Sequence, residues 1–158
     1  MDPSTPHPKL HGLLRSWRGL HRDGRLPGRH DFDPAAHAAL LPNLTLVEVH
    51  QDPLRFRYRL LGSRVDTVLG QNLTGLWLDR HYGDGCAVLQ QYVEVVETRQ
   101  PFWRRGVPHL SPTGHCATIE VLRLPLASDG ERVDRVLSAS IYFDESGREL
   151  EVDPLKPR

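Results

Sequence analysis

The stretch from Arg55 to Gly75 carries the clearest pattern of apolar and polar positions in the chain. Its first half alternates strictly: Phe56, Tyr58 and Leu60 point one way and three arginines the other, which is the period of a half-buried strand. A glycine ends this strand, and a short helix with one apolar face follows. Gly70 stands where the residue after a helix C-cap belongs. The pattern predicts a strand, a short helix and a turn that can together enclose a small pocket.

Two helices and one strand are predicted before this stretch. From Lys9 to Arg22, apolar residues recur at helical spacing, and these are Leu10, Leu13, Leu14, Trp17 and Leu20. Two glycines each weaken this helix by about 1 kcal/mol relative to alanine, so it needs a surface to pack on. Asp33 and Pro34 suit the N-cap and first position of a short second helix. Leu44 to Val49 predicts a strand that pairs with the next one as a hairpin.

The second half of the chain predicts one longer helix and three strands. The helix spans Gly85 to Arg99 and carries an apolar stripe that includes Leu89, Tyr92 and Val93. The three strands are Phe102 to Leu110, Cys116 to Leu126 and Arg135 to Phe143, with a turn at 111–114 between the first two. Strands at both ends with helices between them predict an α+β domain built on an antiparallel sheet.

Composition narrows the class of protein. The chain has 158 residues, which favours one domain, with 39% hydrophobic and 25% charged residues. Twenty basic and twenty acidic residues give no net charge, so no global field favours nucleic acid or an anionic membrane. We find no signal peptide and no membrane-spanning segment, and expect a cytoplasmic protein. The predicted organisation is a disordered lead-in over 1–8, a helix and linker over 9–32, the domain over 33–145 and a charged tail over 146–158.

Several short motifs occur in a fixed order along most of the chain. They are Arg25-Leu26-Pro27, Asp33-Pro34, Leu40-Leu41-Pro42, Phe56 to Gly62, Gly70 with Leu73-Thr74-Gly75, Pro101, and Leu124 to Gly130. As an ordered set they resemble the PAS domain, and more narrowly a compact bacterial family that consists of little more than that domain. The resemblance implies a five-stranded antiparallel sheet in the order 2-1-5-3-4, helices that enclose a cavity on one face, and an N-terminal amphipathic helix outside the core. It implies a sensory or regulatory role and offers no shared catalytic residue.

The same resemblance predicts a ligand pocket between sheet and helices. Its candidate residues are Tyr58, Leu60, Leu69, Trp77, Leu89, Tyr92, Val93, Trp103 and Tyr142. Their hydroxyl and indole groups can orient a ligand in an otherwise apolar site. The cofactor is unknown. Haem is not expected because the long helix holds no histidine, although His81 precedes it. Flavin photochemistry is not expected because neither cysteine lies in an Asn-Cys-Arg context.

No metal site is predicted. His109, His115 and Cys116 are close in sequence, but they straddle a predicted turn and no fourth ligand has zinc spacing. We interpret these histidines as surface residues. Cys86 and Cys116 have no CxxC spacing and are predicted to be free, packing thiols without a function.

Charged residues on predicted strands offer two further hypotheses. Glu120 lies among apolar residues and must find a partner, for which Arg104 or Arg105 on the preceding strand is suited. The alternating arginines at 55, 57 and 59 predict a solvated sheet edge or a surface for an acidic protein. Exposed aromatics are not interleaved with them, as they would be in a binder of nucleic acid.

The leading hypothesis is a non-catalytic sensory or regulatory module that binds a small ligand or a protein and signals through protein contact. We expect a homodimer formed through the apolar stripe of the first helix, with folding back onto its own sheet as the alternative. The rival hypothesis is a small cone-fold enzyme of the ketosteroid-isomerase type, with Glu120, Asp66 or His115 as general base. A third is a scaffold whose cavity is filled by its own side chains.

Overall fold

The sheet has five antiparallel strands in the order β2-β1-β5-β4-β3. A computed structural model describes residues 4–109 and 116–151. The strands are β1 (Leu44–His50), β2 (Arg55–Leu61), β3 (Phe102–Gly106), β4 (Thr118–Leu126) and β5 (Arg135–Phe143). The helices are α1 (Pro8–Gly19), α2 (Ser63–Leu69), α3 (Leu78–Tyr82) and α4 (Ala87–Thr98), with 3₁₀ segments at Arg29–Asp31 and Pro34–Asn43. The predicted α+β class with an N-terminal helix is confirmed.

One detail of the predicted sheet is corrected. We expected β3 beside β5, whereas β4 lies between them and pairs with both. β4 pairs with β5 from Thr118↔Phe143 to Leu126↔Arg135, along the full length of both strands. The physical reason is the short turn between them, which folds β5 straight back along β4, so successive strands become neighbours.

Alternation along β4 and β5 divides their side chains between two faces of the sheet. Val121 and Arg123 face the same way as their register partners Ser140 and Ser138, towards the side covered by α2 and α4. Leu122 and Ala139 face the opposite way, towards α1. We call these the inner face and the outer face. Both faces are covered, which explains why nearly every residue of β4 and β5 is buried.

The apolar stripe of α1 packs on the chain's own sheet. Leu10 and Leu13 are completely buried and Trp17 nearly so, while Leu14 and Leu20 are partly buried against the same core. The indole N–H of Trp17 donates to the carbonyl of Pro125 on β4, at 2.9 Å. This corrects the predicted dimer interface, because the alternative that we left open is the one adopted. The two glycines of α1 are tolerated because the outer face supplies the packing that the helix lacks alone.

Glu120 connects α1 to the outer face. Its Oε1 accepts hydrogen bonds from the backbone N–H of His7, at 2.6 Å, and from the indole N–H of Trp103, at 2.9 Å. The Nη1 of Arg105 lies 3.8 Å from Oε2, which confirms the predicted cross-strand ion pair. Arg104 instead donates to the carbonyl of Val107. His7, which we placed in a disordered lead-in, therefore contacts the sheet.

A bulge in β2 changes the predicted pocket wall. Val47 pairs with Tyr58 and Leu46 with Leu60, so Arg59 is an extra residue between them. A bulge shifts the phase of the alternation, and Leu60 is 53% exposed instead of facing inward with Tyr58.

Some predictions concern residues outside those described: the turn at 111–114, His115, the first three residues of the lead-in and the tail beyond 151. Within the described part, no helix has the length and apolar character needed to cross a membrane.

Candidate functional site

A cavity of about 70 Å³ lies between the inner face of the sheet and helices α2 and α4. The strands contribute Tyr58, Val121, Arg123 and Tyr142, among others. The helices contribute Val65, Val68 and Leu69 from α2 and Val88, Gln91 and Tyr92 from α4. Four predicted pocket residues, Tyr58, Leu69, Tyr92 and Tyr142, are therefore brought together here.

Arg123 is the buried charged residue in the lining of this cavity, which also includes the less buried Arg104. The alternation of β4 directs it inward, and the residue is only 8% exposed. Its Nε donates to Oε1 of Gln91 at 3.0 Å, and its Nη1 donates to the Tyr92 hydroxyl at 2.8 Å and to Oγ of Ser138 at 2.9 Å. Its Cζ also lies 4.3 Å from the centroid of the Tyr92 ring. All of these partners are neutral.

The guanidinium of Arg123 has no anionic partner in residues 4–109 and 116–151. A buried charge is normally paired, because removing it from water carries a large free-energy penalty. Arg123 is thus a buried cation whose described partners are all neutral, and it lies next to open volume.

Four tyrosines, Tyr58, Tyr82, Tyr92 and Tyr142, line the same cavity as Arg123. The hydroxyl of Tyr58 donates to that of Tyr82 at 3.0 Å. Burial raises the pKa of Tyr58, Tyr82 and Tyr142, so all three stay neutral at physiological pH. They can give and accept hydrogen bonds but do not supply the negative charge that Arg123 lacks.

His109 lies at the mouth of the cavity. Its Nε2 is 3.4 Å from Nε2 of Gln91, which also contacts Arg123. Partial burial, followed by the positive charges of Arg104 and Arg123, lowers the pKa of His109. The ring is therefore neutral at pH 7 and available as a hydrogen-bond partner.

Five predicted pocket residues do not line the cavity. Leu60 lies on the outside beyond the bulge of β2, and Trp103 lies on the outer face because it pairs with Leu122. Leu89 and Val93 pack into the core to one side of the cavity. Trp77 lies beneath the arginines, with the Cζ of Arg55 at 4.0 Å from its ring centroid.

The arginines at 55, 57 and 59 are largely neutralised by neighbours. Arg55 forms an ion pair with Asp79 at 3.1 Å. Arg57 and Arg59 lie 2.9 and 3.8 Å from the carboxylate of Glu48. This row is a salt-bridged sheet surface rather than an unpaired basic stripe.

Four residues that line the cavity were not among the predicted pocket residues: Arg123, Gln91, Tyr82 and His109. A signal for Arg123 was present: it is a charge within the apolar run Leu122 to Leu126, the same feature that drew attention to Glu120. No comparable signal marks Gln91, because a polar residue on a helix is usually solvent-exposed.

Neither Glu120 nor Asp66, the candidate bases of the rival enzyme within the described residues, lines the cavity, and His115 lies outside those residues. Glu120 lies on the outer face, and Asp66 lies on α2 but does not line the cavity, although burial raises its pKa. His81 lies on α3, where burial lowers its pKa. Cys86 caps α4 by accepting a hydrogen bond from the N–H of Leu89, and Cys116 lines the cavity with a pKa raised by burial. Within 4–109 and 116–151, no three His, Cys, Asp or Glu residues are grouped so as to hold a metal ion.

Comparison with known proteins gives one family match. A family model described as PAS domain matches residues 5–141, which include α1, strands β1 to β4, most of β5 and every residue of the cavity named above except Tyr142. No curated protein matches the chain.

Proposed function

We propose that this chain, which belongs to the PAS domain family, binds a small ligand in the cavity beside Arg123 and signals the bound state through contact with another protein. Family membership supports a sensory or regulatory module in general terms. The ligand, the signalling partner and a non-catalytic mode of action are the parts proposed here.

The observation that carries the proposal is the buried guanidinium of Arg123 beside unfilled volume. A cavity needed only for packing would be lined by apolar groups and closed by them. Here the lining combines a buried charge, four tyrosines and an amide with valines and a leucine. A few polar groups in an apolar enclosure are typical of a small-molecule site.

We also keep the homodimer as a proposal, but through a face other than the stripe of α1. Sedimentation velocity at tens of micromolar measures the oligomeric state. Exchanging Leu13 and Trp17 for Glu would not distinguish a dimer from a monomer, because both side chains belong to the core of the chain itself.

The ligand proposal is tested with a panel of organic acids, amino acids, sugars, nucleobases and alcohols. Binding is detected as a rise in melting temperature of the full chain and verified by calorimetric titration. We expect at least one compound to bind with one-to-one stoichiometry. Val68→Phe, which fills the cavity from α2, should abolish that binding.

Val96→Phe is the matched control, because Val96 is a partly buried valine on α4 that does not line the cavity. It should leave binding unchanged. Circular dichroism establishes that both variants are folded, and Ser140→Leu fills the cavity from β5 if Val68→Phe unfolds. A panel without any binder, or binders that both filled variants retain, would leave the chain as a scaffold without a ligand.

A further inference from the structure

We infer that the ligand of this cavity is a short monocarboxylate whose anionic group is held by Arg123. The inference rests on the proposed function and adds the chemical class of the ligand.

The donors of Arg123 show where the anion fits. A guanidinium has five N–H donors, one on Nε and two on each terminal nitrogen. Gln91 uses the donor on Nε, and Tyr92 and Ser138 use the two on Nη1. In the described part of the chain, no protein acceptor takes the two donors on Nη2. Three neutral partners therefore fix the plane of the group and leave one nitrogen for a ligand.

Charge favours an anion over a neutral ligand at this nitrogen. Hydrogen bonds between a guanidinium and a carboxylate are shorter and about twice as strong as those between neutral groups. The surrounding groups cannot supply the charge themselves, because the pKa of Tyr58 and of Tyr82 is raised by burial and both stay protonated. A bound carboxylate would thus supply the negative charge that the groups around Arg123 do not.

Size and lining favour a short organic acid over an inorganic oxyanion. The volume of about 70 Å³ is roughly half that of an apolar cavity that binds benzene, which suits an acid of about two or three carbons. The lining also has an apolar part, which includes Val65, Val68, Leu69 and Val121. An alkyl tail would displace water from this apolar wall, whereas phosphate or sulfate would have to face it with unpaired oxygens.

The test compares propionate with propionamide, which has the same shape and no charge. Each is titrated into the full-length chain at constant ionic strength, and binding is followed by ¹H–¹⁵N NMR. Propionate should shift the side-chain signals of Gln91 and the arginine Nε signals saturably. Propionamide should bind at least tenfold more weakly. This comparison uses the wild-type protein and needs no variant to fold.

Two substitutions test whether Arg123 causes the difference in affinity between propionate and propionamide. Arg123→Gln should weaken propionate binding at least tenfold and propionamide binding by much less, while Arg123→Lys should restore part of the affinity for propionate. Equal binding of the two probes, or undiminished propionate binding by Arg123→Gln, would overturn the inference. Inorganic phosphate that binds as tightly as propionate would overturn it in favour of an oxyanion site.

Failure of this inference differs from failure of the proposed function. If propionate does not bind but a panel compound does, and Val68→Phe blocks that compound, only the carboxylate assignment is lost. If nothing in the panel binds, both are lost.

Discussion

Glu120 and Arg123 lie three residues apart on β4 and serve opposite faces of the sheet. Because the separation is odd, one carboxylate points to α1 and one guanidinium points into the cavity. They are close in the sheet and yet form no ion pair with each other. Glu120 on one face of β4 has a charged partner, Arg105, whereas Arg123 on the other face has only neutral partners among the described residues.

Glu120→Ala should lower the free energy of unfolding by about 3 kcal/mol, because it leaves the N–H groups of His7 and Trp103 without an acceptor and Arg105 without its counter-charge. Urea denaturation measures the loss. Glu94→Ala, at an exposed position on α4, is the control and should change stability by less than about 0.5 kcal/mol. Equal effects of the two substitutions would mean that Glu120 does not hold α1.

His109 should titrate below the ordinary histidine value of 6.5, because partial burial and the charges of Arg104 and Arg123 disfavour its protonated ring. Tyr82, which lines a neighbouring pocket together with His109, stays neutral near pH 7 because burial raises its pKa, so it does not offset this. NMR titration of the ring protons, assigned with His109→Gln, measures the pKa. Arg123→Gln should raise it by removing one positive charge.

The sign for stability follows from the same shift. With its folded pKa lowered, His109 favours the folded state fully above pH 6.5 and loses that contribution as pH falls from there towards the folded pKa. A His109 pKa at or above 6.5 in the folded chain would contradict its placement beside the two arginines.

At the level of secondary structure, α1 is an integral part of the domain. Leu13→Ala should destabilise the chain by about 2–5 kcal/mol, since this side chain is completely buried against the outer face. Arg15→Ala, at an exposed position of the same helix, should be nearly neutral. Thermal or urea unfolding checks both. If Leu13→Ala changes the free energy of unfolding only slightly but alters the oligomeric state, α1 would form the dimer interface that the sequence predicted.

Periodicity predicted the elements better than the site. The alternation from Phe56 to Tyr58 places Tyr58 in the cavity as expected, but one extra residue in β2 turns Leu60 outward. Period-two patterns cannot reveal a bulge, because it is defined by the partner strand. On α4 the predicted stripe includes the buried residues Leu89 and Tyr92, but Val93 is only partly buried and the stripe omits the buried Gln91 and Val95. The cavity lies against Val88, Gln91 and Tyr92 rather than Leu89 and Val93. A stripe marks the buried side of a helix and not where that side is left unfilled.

At the scale of the whole molecule, one sheet has helices on both sides with different roles. α2 and α4 enclose a cavity on the inner face, and α1 closes the outer face. The resemblance of the sequence to the PAS domain predicted helices that enclose a cavity on one face, whereas packing of α1 on its own sheet was the alternative to a dimer. The family match confirms the family. The proposed ligand class did not follow from the family, because it rests on the side chain that β4 turns inward, which is Arg123 in this chain.

A crystal structure of the full chain grown with the tightest-binding compound of the panel tests the central claim most directly. We expect electron density for one molecule in the cavity beneath α2 and α4, with an anionic oxygen within hydrogen-bonding distance of Nη2 of Arg123. Density for the compound only at the protein surface, with the cavity empty or closed by the chain's own side chains, would contradict it.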